Sequence, residues 1–88
     1  MGVVEDLADE LARSALEAEE ELGDANIVDE VSGVLLAQSQ TLQEAYMTAI
    51  RVRRSANAGR RFLDAKLRAH RRGEAAPPPP TADNPDIH

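Results

Sequence analysis

Apolar side chains first recur at three- and four-residue spacing as Val4, Leu7, Leu11, Ala15, Ala18 and Leu22. That period puts them on one face of a helix over about residues 3–22. The opposite face is nearly all carboxylate. Glu5 and Asp6 suit the positive N-terminus of such a helix, whereas Glu19, Glu20 and Glu21 crowd its negative end. Gly23 follows where a left-handed residue would close the helix. Asn26 is placed to cap a second helix, with Asp29 three positions on in a capping-box arrangement. A turn this short favours antiparallel neighbours.

From Ile27 to Arg72 there is no proline. At 100° per residue, Ile27, Val31, Val34, Leu35, Leu42, Ala45, Ala49, Val52, Ala56, Leu63 and Leu67 fall in an arc of about 100°. One polar residue, Gln38, interrupts this seam. The pattern predicts a long second helix, about 69 Å if unbroken. Its weak point is Ser55–Gly59, where Asn57 and Gly59 lower helix propensity. The fold class predicted is all-α: an antiparallel helical hairpin over residues 1–73, with a short acidic helix and a long helix whose C-terminal half is basic. Residues 74–88 read as an acidic, proline-rich tail, with polyproline II geometry expected from Pro77 to Pro80 and disorder expected when alone.

A first helix of this length covers only the first half of the long one. Ala49, Val52, Ala56, Leu63 and Leu67 would then remain in water, and an exposed apolar stripe marks an interface. Assembly into a helical oligomer or ring is therefore expected, with Val31, Leu35, Leu42, Ala49, Val52 and Leu63 as its interface.

Charge sharpens that picture. Residues 1–31 carry eleven acidic side chains and one basic one, Arg13; residues 32–73 carry nine basic side chains against Glu44 and Asp64. Arg53, Arg54, Arg60, Arg61, Arg68, Arg71 and Arg72 share an arc of about 120° beside the seam. Guanidinium forks hold nucleic-acid phosphates well. The same arc could equally pair with the acidic helix. In a hairpin that helix lies away from the arc, so the pairing is expected between copies. With two aromatic residues in the chain, Tyr46 and Phe62, base stacking on single strands is disfavoured.

Other chemistry is sparse. There is no cysteine. His70 and His88 lack metal-ligand spacing, and the carboxylates from Glu17 to Asp24 lack the alternating pattern of a calcium loop. No nucleophile or acid/base set is evident, so a non-catalytic role without cofactor or metal is expected. No secretory signal or membrane span is recognised, which makes a bacterial cytoplasm the default expectation.

An acidic helix (Val4–Leu22), a tight turn (Gly23–Asn26), a long helix with a basic end (Ile27–Arg72) and an acidic tail (Glu74–His88) resemble the oligomerisation core of small terminase subunits of tailed phages and gene transfer particles. The resemblance is one of architecture and covers most of the chain. It implies assembly into rings and a role in DNA packaging. It also implies a tail (Pro77, Pro80, Asp83, Asp86, Ile87) that docks a packaging-motor ATPase. Nothing here corresponds to the N-terminal DNA-binding domain common in that family, so duplex binding would be weak and non-specific, through the arginines. The other expectation from the residues is a helical protein–protein adaptor, a chaperone- or antitoxin-type dimer with no nucleic-acid role.

Overall fold

A computed structural model describes residues 2–75 and 77–79. Three helices follow in order: α1 (Val3–Leu22), α2 (Ile27–Gln38) and α3 (Gln40–Arg71). The chain divides into two compact units, Met1–Ser55 and Ala56–His88. The all-α expectation holds. The unbroken helix from Ile27 does not, because the chain leaves helical geometry at Ser39 (φ −160°, ψ 110°).

Local chemistry explains each boundary. The Glu5 carboxylate turns back to accept the Gly2 N–H at 3.1 Å, so an acid of the first turn satisfies a free donor and faces the positive helix end. Gly23 closes α1 at φ 64°, and the Asp24 N–H donates to Glu19 O. A Cβ-bearing residue is disfavoured in that left-handed geometry. Asn26 occupies the N-cap of α2, but the expected capping box does not form. The Asn26 side chain caps nothing, and the Asp24 carboxylate instead accepts the Asn26 N–H at 2.9 Å.

Ser39 separates α2 from α3 by serving both. Its N–H donates to Leu35 O at 2.7 Å, and its Oγ accepts the Leu42 N–H at 3.2 Å. A serine hydroxyl competes with backbone acceptors in this way, which favours caps over helix interiors. The Ser55–Gly59 stretch, by contrast, stays helical.

The first unit holds a core of Ala8, Ala12 and Ala15 from α1, Val28 from α2, and Tyr46 and Ile50 from α3. Leu11, Leu16, Ile27, Val31, Leu35, Leu42, Ala45, Met47 and Ala49 are half-buried against it. This differs from the expected seam. On α1 the alanines are interior, while Leu7 and Leu22 stay exposed. Small side chains let backbones approach closely, so the tightest contact falls on alanine. On α3 the core positions 46 and 50 lie about 100° round the helix from the centre of the expected arc. Val28 of α2 is displaced from the arc to the same side, so the arc marked the edge of the buried face and missed its centre. Tyr46 is fully buried, and its hydroxyl donates to Val28 O at 2.9 Å. Gln43 donates to Ser32 Oγ at 2.9 Å beside it. No buried side-chain polar atom lacks a partner among the described residues.

The second unit is the C-terminal half of α3 and its cap. Gly73 ends the helix at φ 69°, and the Gly73 and Glu74 N–H groups donate to His70 O and Ala69 O. Arg72 pairs with Glu74 at 3.1 Å. The Lys66 ammonium lies 5.7 Å from the centre of the Phe62 ring.

Candidate interaction site

Two surfaces carry chemistry: the arginine arc and the apolar stripe of α3. The arc divides by unit. Arg53 forks onto Asp9, with Nε 2.7 Å from Oδ1 and Nη2 2.8 Å from Oδ2. Arg54 reaches Glu19 at 3.1 Å. Adjacent arginines of α3 thus take carboxylates ten residues apart on α1. This corrects the expectation that the acidic helix could meet the arc only between copies. The reason is that Arg53 and Arg54 flank Tyr46 and Ile50, on the face of α3 that shares the core with the alanines of α1. The bond from Arg53 holds the Asp9 carboxyl below the usual carboxylate range, and Asp9 keeps Arg53 protonated beyond its usual range.

Beyond residue 55 the arc has few partners. Arg60 donates to Asn57 on its own helix at 3.0 Å. Arg61, Arg68 and Arg71 make no ion pair among the described residues, and all are exposed. Between residues 56 and 75 six basic side chains face two acids, Asp64 and Glu74. Among the described residues, five of these six basic side chains make no ion pair.

The stripe follows a three–four alternation along α3: Ala45, Ala49, Val52, Ala56, Gly59 and Leu63, with Leu67 next. Val52, Leu63 and Leu67 are 62%, 58% and 47% exposed, which is far more than aliphatic side chains show in a closed core. Within the first unit the stripe floors a groove of about 400 Å³ lined by Glu5, Asp9, Ala45, Thr48, Ala49 and Val52. The floor is apolar, and the wall supplied by α1 is acidic.

The six residues expected at an interface therefore part company. Val31, Leu35, Leu42 and Ala49 help pack the first unit's core, whereas Val52 and Leu63 stand in solvent. Thr48, Gly59 and the acids Glu5 and Asp9 were not foreseen as part of this surface. The signal was present in the alternation 45–49–52–56–59–63, once read as a face distinct from the core. Of the tail residues, Pro77 is described and exposed. Pro80, Asp83, Asp86 and Ile87 lie outside the described residues. Among the described residues no cluster of His, Asp or Glu could hold a metal, and no helix is long and apolar enough to cross a membrane. No protein-family model, curated protein or solved structure matches the chain.

Proposed function

We propose that this chain is a non-catalytic helical adaptor that self-associates through α3 and presents a basic surface to duplex DNA, in the manner of a small terminase subunit. The observation that carries the reading is the row Val52, Leu63 and Leu67, exposed on one face of a helix. Burying such a row between copies is favourable by roughly 25 cal/mol per Å² of apolar surface removed from water. Assembly also multiplies the free arginines. One copy offers Arg60, Arg61, Arg68 and Arg71, and its first unit is acidic and repels DNA. Several copies repeat the patch, and avidity raises affinity without new contacts. In this reading the tail from Pro77 docks a motor ATPase.

The test is binding of a fluorescent duplex by anisotropy at low and at physiological salt. Weak binding lost on adding salt, and removed by Arg60→Ala, Arg61→Ala, Arg68→Ala and Arg71→Ala together, supports the reading. An assembled wild-type protein with no DNA binding at low salt rejects its nucleic-acid part. One observation favours that second outcome: Arg53 and Arg54 are already occupied by Asp9 and Glu19. The chain would then be a protein–protein adaptor alone.

A further inference from the structure

We infer that the first unit's groove receives the stripe of α3 from a second copy, the two α3 helices running antiparallel about a dyad at Ala56. The inference rests on the self-association proposed above and specifies its partner surface, direction and register.

Four observations converge on it. The first is size matching. Centring an antiparallel pair on Ala56 sets Ala45 opposite Leu67 of the second copy, Ala49 opposite Leu63, and Ala56 opposite Ala56, and brings Val52 within one residue of the level of Gly59. Each leucine meets an alanine, as interdigitated helix packing requires. No such match arises in a parallel pairing, where every residue meets its own kind and Leu63 meets Leu63.

The second is Gly59. A glycine inside a helix costs about 0.5–1 kcal/mol relative to alanine. Its φ is not positive, and a Cβ built there would meet nothing within 4 Å of the chain itself. The chain on its own gives no reason for glycine at this position. A second helix whose Val52 comes within one residue of the level of Gly59 does.

The third is charge. The groove wall carries Glu5 and Asp9. In an antiparallel pair the same flank of each helix meets, which brings Arg60 of the second copy to the α1 side. Lys66, on the other flank, comes to the side of Glu44. The acidic half of each copy thus faces the basic half of the other, and a parallel pair would set like against like.

The fourth is that the dyad makes the contact reciprocal. One groove and one stripe per copy are both used, and the interface closes at two copies.

The chain has no cysteine, so single cysteines read the register directly in the full-length protein. Ala56→Cys should form a disulfide-linked dimer rapidly under diamide. Ala49→Cys alone and Leu63→Cys alone should cross-link poorly, while an equimolar mixture of the two should give the mixed dimer in high yield. Leu63 is exposed and Ala49→Cys is a small change, so both variants should keep the wild-type circular dichroism. Leu63→Asp, which buries a charge at the interface, should raise the dimer Kd by about 100-fold or more. Self-linked dimers from Ala49→Cys and Leu63→Cys, with no preference for the mixture, would overturn the antiparallel register while leaving self-association standing. A chain that sediments as one copy at every concentration would overturn both.

Discussion

At the residue scale, Tyr46 does the most for the first unit. Its ring lies in a core otherwise built from alanine, valine and isoleucine, and its hydroxyl satisfies Val28 O. Tyr46→Phe should lower stability by about 1 kcal/mol, the net worth of one hydrogen bond, and Tyr46→Ala by about 3–5 kcal/mol, as for large aromatic truncations. Chemical denaturation measures both. Burial first, and then the charge of Asp29, pushes the Tyr46 phenol above its ordinary value of 10.0. A group whose folded pKa is raised contributes stability below its unfolded pKa and loses it as pH climbs toward the folded one. Stability of the wild type should therefore hold to about pH 10 and fall above it, and Tyr46→Phe should flatten that decline. Asp9 behaves oppositely. Arg53 lowers its pKa, so the pair contributes above the ordinary carboxylate range and is lost as pH drops through the folded value. Asp9→Asn should blunt the acid limb of a stability–pH profile. An acid limb unchanged in Asp9→Asn would show that the fork contributes nothing in solution.

At the element scale, boundaries carry the lesson. Ser39→Ala should cost about 1 kcal/mol by removing the cap on α3, measured by thermal or urea unfolding. Gly33 lies inside α2 with open space around its Cβ position, so Gly33→Ala should add about 0.5–1 kcal/mol. A loss of stability in Gly33→Ala would mean that α2 uses the glycine for a close contact. The extent of α1 was legible because its period is clear and Gly23 ends it. The end of α3 was legible at Gly73 for the same reason. Ser39 was not, because good helix formers flank it on both sides and neither glycine nor proline marks the stop. Its hydroxyl was the available signal. Val28, Tyr46 and Ile50 fell off the expected face because the arc was drawn along the edge of the buried face. Arg53 and Arg54 seemed out of reach of α1 because α1 was set along residues 27–47 alone. Asn57 and Gly59, weak by propensity, stay helical because two poor residues cannot offset the strong formers around them. The exposed stripe was foreseen in Val52, Leu63 and Leu67, but merging it with the core arc hid the groove.

At the scale of the whole molecule, a single copy leaves basic charge and apolar surface exposed. The first unit spends two arginines on its own acids, and among the described residues the second keeps most of its basic side chains out of ion pairs. If these free charges meet a second copy's acids, raising salt should weaken assembly by screening, and Arg60→Glu should do so at low salt. Leu63→Asp should weaken it at every salt concentration. Duplex binding, where present, should follow assembly: dilution below the dimer Kd should remove it. The most direct measurement is the solution mass by sedimentation equilibrium, taken across protein concentration for the wild type and Leu63→Asp. Self-association through α3 requires a wild-type mass of at least twice the 9.5 kDa of one chain, falling to one chain in Leu63→Asp with helix content unchanged. A wild-type mass of one chain throughout the range would contradict it.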